Sequence, residues 1–284
     1  MRIDAHQHFW KFDPVRDAWI TEEMGVLRRD FLPEDLAPEL SANRMDASIA
    51  VQADQSEDET LFLLDLAEKH PQIAGVVGWV NFSATNIRER LRYFSRFPKL
   101  RGFRHIVQAE PDDRFLLRED FLRGISCLKE FGFTYDVLIY PKQLPAAVEF
   151  VQRFPDQPFI VDHIAKPLVK EKEVASWSKH MRALAAASNV SCKVSGLITE
   201  GDWKHWRPEQ FHPYLDVVFD AFGPERLLFG SDWPVCLLAG TYHQVRRLVE
   251  NYIRSRPQWE KDNILGGNAA RFYGVKPTRA GGQG

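Results

Sequence analysis

Cysteine is scarce in this 284-residue chain: Cys127, Cys192 and Cys236 are odd in number and far apart. That excludes a disulfide framework and a cysteine-rich zinc site. Neither sign of charge prevails, since 37 basic residues face 39 acidic ones for a net charge of −2. There is no run of Lys and Arg interleaved with aromatics, so nucleic acid is not an expected partner. No apolar stretch is long enough to span a bilayer, and no membrane partner is expected either. The opening MRIDAHQHFWKFD lacks the apolar centre of a secretory leader, so the chain reads as cytoplasmic. No glycine-rich nucleotide turn follows the first strand-like run, which counts against an open, doubly wound nucleotide fold.

What is present is an ordinary globular balance of 44% hydrophobic and 27% charged residues. A chain of this length can bury a large core without disulfides or structural metal. Short β-rich runs recur at Arg2–Ala5, Ser48–Gln52, Ala74–Val80, Leu100–Ile106, Thr134–Ile139, Phe159–Asp162, Val190–Val194 and Leu227–Gly230. Several are continuously apolar, as in parallel strands buried on both faces. Helical patterns fill the gaps. Ser56 and Glu59 form a capping box ahead of LFLLDLA. Ile87, Leu91 and Phe94 keep helical spacing, as do Phe121, Ile125 and Leu128, then Val174, Trp177, Met181 and Leu184, then Phe211, Leu215 and Val218. Eight βα units predict an α/β protein, a closed (β/α)8 TIM barrel in one domain over 1–275. Residues 9–45 interrupt the alternation as a long loop insertion, a candidate lid over the barrel mouth. Residues 276–284 read as a disordered tail.

The chemistry-bearing residues fall at the C-terminal ends of strands, where barrels of this kind place their active sites. In IDAHQHFW, His6 and His8 are two residues apart, so a strand points both the same way. In FIVDHIAKP, His163 follows an apolar strand; in LLFGSDWP, Asp232 follows the eighth. Three imidazoles and one carboxylate at one mouth make a donor set suited to zinc. Taken singly, His-x-His reads as a surface pair at a strand end, and GSDWP as a turn.

These motifs, with RRDFLPEDLAP, RGFRHIVQAEPD, CKVSGL, FGSDWPVC and GGNAARFYG, resemble the amidohydrolase superfamily. The likeness runs through nearly the whole chain. It points to the sugar-lactone hydrolase branch, which includes L-fuconolactonases and L-rhamnono-lactonase-like proteins. The resemblance implies a distorted barrel, a role in carbohydrate metabolism and hydrolysis of a cyclic ester of a sugar acid. Such a reaction needs an activated water, a polarised carbonyl and a stabilised tetrahedral oxyanion. Asp232 is the expected general base, and His6, His8, His163 and Asp232 would hold one divalent ion, zinc first. If no metal is used, the same four would position the water. A two-metal site is not expected, because the fifth strand ends TYDVLIYP without a histidine and no bridging lysine marks the fourth.

Arg104 and Lys193, near the ends of the fourth and seventh strands, are candidate catalytic cations for the oxyanion or the product carboxylate. Lys166 has the same chemistry on the rim. Trp10 and Trp233 are candidate substrate walls, with core packing as the plainer reading of each. Trp19, Gln52, Tyr140 and Ser195 are weaker pocket candidates. His105 should face away from Arg104, and His180, His205, His212 and His243 read as surface or packing residues. Two other functions fit the motifs: a metal-dependent decarboxylase of a small unsaturated acid, and a sugar-acid binder without catalysis. The second has no need of a general base.

Overall fold

The computed structural model describes residues 1–276, so the tail expected over 276–284 lies outside them except for Lys276. Among the described residues, eight parallel strands stand side by side in chain order. They are β1 Ile3–Gln7, β2 Ala47–Val51, β3 Ile73–Gly78, β4 Leu100–His105, β5 Thr134–Val137, β6 Phe159–Val161, β7 Val190–Val194 and β8 Leu227–Phe229. Every expected strand overlaps one of them. The sheet closes at its C-terminal rim, where Asp232 N donates to His6 O at 2.9 Å and His8 N to Trp233 O at 2.7 Å. The result is the expected (β/α)8 barrel.

Both faces of the sheet are apolar, and each has its own core. Ile3, Ala5, Ile49, Val51, Val77, Ile160 and Leu228 converge from strands around the barrel into one interior cluster. The outer faces join the surrounding helices in a larger cluster that includes Leu63, Phe94, Phe150, Trp177 and Val218. Each such side chain contributes about 1.5–3 kcal/mol by leaving water.

The helices are α1 Pro33–Ala42, α2 Glu57–Lys69, α3 Ile87–Phe94, α4 Glu119–Ile125, α5 Leu128–Phe131, α6 Leu144–Gln152, α7 Ala175–Ala185, α8 Leu197–Glu200, α9 His212–Phe222, α10 Tyr242–Tyr252, α11 Gln258–Asp262 and α12 Asn268–Phe272. None is long and apolar enough to cross a membrane. Ser56 caps α2, accepting Glu59 N at 3.1 Å. The capping box is only half formed, because the Glu59 carboxylate instead accepts Ala53 N at 2.8 Å and Asp54 N, tying down the loop after β2. The Phe121–Leu128 pattern is broken between α4 and α5, although all three residues remain buried.

The segment 9–45 differs from the plain loop expected of it. Trp10 and Phe31 exchange backbone hydrogen bonds of 3.0 and 2.9 Å, and a 3-10 turn spans Glu22–Leu27. Pro33 opens α1 at a position where its missing N–H costs nothing, and Asp35 accepts Leu32 N at 3.0 Å. α1 therefore occupies the place of the first barrel helix, and the insertion proper is 9–32. Phe9, Trp10, Leu27 and Phe31 are among its buried residues.

Candidate active site

β1 reaches the site through a change of step. Asp4 pairs with Ser48 and Gln7 with Ala50, so three residues of β1 span two of β2. This bulge puts Ala5 and His6 on the same, inner side. Ala5 joins the interior cluster, and His6 meets Lys193 and Asp162 inside the barrel. Gln7 points outward to Ser48 Oγ, and His8 turns inward again.

Four groups converge at the mouth. His8 Nε2 lies 3.4 Å from Asp232 Oδ1, and His6 Nε2 and His163 Nε2 each lie 3.8 Å from the same oxygen. His6 Nε2 and His8 Nε2 are 3.1 Å apart. His8 Nδ1 donates to Val51 O at 2.7 Å, which fixes its tautomer and leaves Nε2 as a lone pair. Two lone pairs cannot face each other at 3.1 Å. Either His6 Nε2 carries a proton, or a cation stands between the rings. Burial pushes all three imidazoles below their ordinary range, His163 to about 4, so they are neutral at pH 7. Burial would raise Asp232, but His163, His8 and His6 outweigh it and keep the carboxyl well below its usual range.

A divalent ion fits this donor set. Metal–nitrogen bonds of about 2.0–2.1 Å imply donors about 3.3 Å apart in a tetrahedron, against the observed 3.1, 3.4 and 3.8 Å. His6, His8 and Asp232 satisfy the spacing for a metal cluster, as do His6, Asp162 and His163.

The backbone is bent to make this arrangement. His163, Ile164, Ala165 and Lys166 all have left-handed φ, from 45° to 57°. Each non-glycine residue there costs about 1–2 kcal/mol. In extended chain Asp162 and His163 would face opposite sides; the left-handed turn brings both inward. Trp177 Nε1 holds the turn by donating to Ile164 O at 2.9 Å. His163 Nδ1 pairs with Ser195 Oγ at 2.9 Å, so Ser195, a weak candidate from sequence, orients a central ring. Two glycines make room. A Cβ on Gly196 would fall 2.6 Å from His163 Nδ1, and one on Gly230 would fall 2.7 Å from His6 Cβ.

Beneath the imidazoles lies a buried charge layer. Lys193 Nζ meets Asp136 Oδ2 at 2.5 Å, Asp162 Oδ1 at 2.9 Å and His6 Nδ1 at 3.1 Å. Arg104 Nη1 reaches Asp162 Oδ2 at 3.0 Å and His6 Nε2 at 3.3 Å, and its Nη2 reaches Gln52 Oε1 at 2.9 Å. Arg104 and Lys193 were expected at the mouth as direct partners of substrate. They are instead 3% and 0% exposed and committed to carboxylates one layer below. The physical reason is that an inward-facing strand cation is desolvated, and Asp162 and Asp136 compensate it. Asp162 was missed by sequence reasoning. Burial raises its carboxyl, but Lys193, His6 and Arg104 hold it well below its usual range. With neutral imidazoles, two cations face three ionised carboxylates, Asp136, Asp162 and Asp232. A net negative charge therefore remains for a dication to offset.

Trp233 takes the plainer of its two readings, core packing, and does not wall the pocket. It is 2% exposed, with its ring edge-on to Phe31 at 5.3 Å and Phe9 at 6.2 Å, so it anchors the inserted segment. Trp10 is likewise buried, with Nε1 donating to Arg29 O at 2.9 Å, yet it borders a cavity of about 440 Å³ with Arg16, Asp54 and Glu59. Lys166 stays half-buried on the rim, its ammonium 5.5 Å from the Tyr140 ring centre. His105 faces away from Arg104, donor to Glu110 and acceptor from Trp79, as expected.

A model of the amidohydrolase family, Amidohydro_2, matches residues 3–275. The chain belongs to the amidohydrolase family. Among amidohydrolases it is 44% identical, over 97% of its length and 96% of the relative's, to an L-fucono-1,5-lactonase of Burkholderia multivorans. It is 34% identical, over 96% of each chain, to an L-fucono-1,5-lactonase of Burkholderia ambifaria. A crystal structure of a Burkholderia multivorans amidohydrolase with bound zinc superposes with a TM-score of 0.94 at 44% identity, covering 97% of this chain and 100% of that one.

Proposed function

We propose that this amidohydrolase hydrolyses a sugar-acid lactone, with L-fucono-1,5-lactone as the first substrate to test, since two relatives carry that activity in their names. The observation that carries the reading is the convergence of three neutral imidazoles on one ionised Asp232 at the barrel mouth. Asp232 Oδ1 faces the imidazoles, and the carboxylate acts as base on a water beside them. Water adds to the lactone carbonyl carbon as Asp232 takes its proton. The ring C–O bond then breaks, and the proton passes to the ring oxygen as it leaves as a hydroxyl. The product is an open-chain hydroxy acid, which releases a proton at neutral pH.

His6, His8, His163 and Asp232 would hold a divalent ion, for which zinc is the proposed identity given the zinc-bound relative. When bound, such an ion supplies Lewis acidity to the carbonyl and acidifies its water. Lys166 on the rim is proposed to meet the product carboxylate. Arg104 and Lys193 act indirectly, by holding Asp162 and His6 in place.

The test is hydrolysis of a panel of aldonolactones by the purified protein, followed with a pH indicator, with exhaustive chelation and zinc add-back. Turnover that is lost to chelator and restored by zinc supports the metallo-lactonase. Turnover indifferent to chelator keeps the lactonase and makes the four residues water-positioning groups. No turnover on any lactone overturns the proposal in favour of decarboxylation.

A further inference from the structure

Among the described residues, backbone ladders join each strand to the next from β1 to β8, and none joins β8 back to β1. The ring is completed by a single bridge just past the end of β8, where Asp232 N donates to His6 O and His8 N to Trp233 O. This seam is where the mouth is assembled. His6 stands on one side of it and Asp232 on the other, with His6 Nε2 3.8 Å from Asp232 Oδ1. Their spacing depends on what holds the seam shut.

Asp4 spans the seam. It is wholly buried and points outward from β1, since Ile3 and Ala5 on either side of it belong to the interior cluster. Its Oδ1 accepts Ser231 N at 2.9 Å and His6 N at 3.1 Å. One oxygen thus holds the backbone of His6 on one side and that of the residue before Asp232 on the other. Its Oδ2 accepts the hydroxyl of Tyr242, the first residue of α10, at 2.9 Å. Ser231 Oγ adds a second link, donating to His6 O at 3.4 Å and accepting Trp233 N at 3.0 Å. A buried carboxylate is costly unless hydrogen-bonded, and these three donors are what make Asp4 tolerable there. Leucine or valine would pack an outer strand face without that cost, so packing alone does not call for an acid.

We propose that Asp4 is a positioning residue, a clamp across the seam that sets the spacing of His6 and Asp232 and with it the affinity of the mouth for a divalent cation. The inference rests on the metal site proposed above. Without the carboxylate, Ser231 N and His6 N are buried donors with no acceptor, and such groups must find one. The two segments part to admit water, and His6 and Asp232 part with them. Asparagine keeps the clamp, because its Oδ1 can accept both N–H groups while its amide donates to the Tyr242 hydroxyl. Alanine removes it.

The experiment titrates zinc into metal-free protein against a chromophoric chelator, for wild type, Asp4→Ala, Asp4→Asn and Tyr242→Phe, with Asn268→Ala as control. Asn268 is also buried and ties down the other end of the same strand, its Nδ2 donating to Pro224 O at 2.8 Å and Leu227 O at 2.6 Å. Asp4→Ala should weaken zinc binding about 10- to 100-fold, and Asp4→Asn should bring it back to within about twofold of wild type. Asn268→Ala should lower the melting midpoint and leave zinc affinity unchanged. Should Asp4→Ala fail to fold, Tyr242→Phe, which frees Oδ2 and slackens the clamp, must weaken zinc binding several-fold. Wild-type affinity in folded Asp4→Ala overturns the inference. So does an equal loss in Asn268→Ala, which would mean general softening of β8, and so does Asp4→Asn as weak as Asp4→Ala. A wild-type protein inert on every lactone sinks the lactonase reading alone, and zinc affinity still decides for or against Asp4. A wild-type protein that takes up no zinc sinks the metal site and this inference with it.

Discussion

Gly196→Ala separates two penalties that usually come together. Gly196 has φ +61, and a Cβ there would lie 2.6 Å from His163 Nδ1 and 2.7 Å from Cγ. Alanine in that backbone conformation costs about 1–2 kcal/mol, which lowers the melting midpoint by roughly 2–8 °C. The contact adds a second effect. To reach ordinary separation the imidazole must retreat by about 0.8 Å, and displacement on the order of 1 Å can cost about 100-fold in rate. Gly132→Ala is the control, for Gly132 has φ +71 with nothing within 4 Å of its would-be Cβ. Both variants should show a similar drop in melting midpoint. Only Gly196→Ala should lose kcat/KM, by about 30- to 100-fold. Thermal melts and indicator-based lactone hydrolysis measure the two quantities on the same samples. Equal activity of the two variants would refute the reasoning, because the cradle around His163 would then not matter.

Asp232→Asn should lower kcat by about 10³-fold, in the range for loss of a general base, with KM changed little. An unchanged rate would remove Asp232 from the mechanism. Burial pushes His163 down to about 4 from 6.5, so between those values the unfolded chain binds a proton that the folded one refuses. Stability should therefore be greatest above pH 6.5 and fall toward pH 4, with up to about 3 kcal/mol of the loss due to His163. Urea midpoints at pH 7 and 4.5 test this, since His163→Gln should flatten the difference. Arg104→Met leaves Asp162 buried with half its compensation and should destabilise the fold by about 3–5 kcal/mol. A urea midpoint within error of wild type would show that Lys193 alone suffices.

The barrel was legible because its signal is repeated. Eight apolar runs separated by 3.6-period patterns leave few topologies, and each strand position was recovered. The mouth quartet was legible because strand ends in barrels carry chemistry, so His6, His8, His163 and Asp232 declared themselves by place. Asp162 was not legible: strand alternation sends it away from its neighbour, and only the left-handed turn over 163–166 reverses that. Arg104 and Lys193 were recognised as candidate cations near strand ends, but neither their facing nor their depth along the strand was legible from spacing. One step along a strand separates the rim from the buried layer. Trp233 follows Asp232, yet the turn aims it at Phe9 and Phe31. Tyr242 meets Asp4 across most of the length of the chain, and no local spacing rule reports such a meeting. α1 was legible in hindsight from Pro33 and Asp35, hidden inside a stretch read as loop.

The extra residue in β1 has a consequence for how relatives of this chain should be compared. Pairing of Asp4 with Ser48 and Gln7 with Ala50 makes the strand change step once, just before the first histidine. A substitution elsewhere in β1 alters one side chain, whereas loss of Ala5 would leave Asp4 outward, His6 inward, Gln7 outward and His8 inward in plain alternation. Such a chain would still spell His-x-His and still aim both rings at the cavity. The full-length strand paired without the bulge would instead turn both rings toward the helices and Gln7 to the cavity. In this strand the change of step carries more meaning than the letters. A relative aligned here with a one-residue gap at Ala5 keeps the site, and one that pairs all its residues without the bulge loses it.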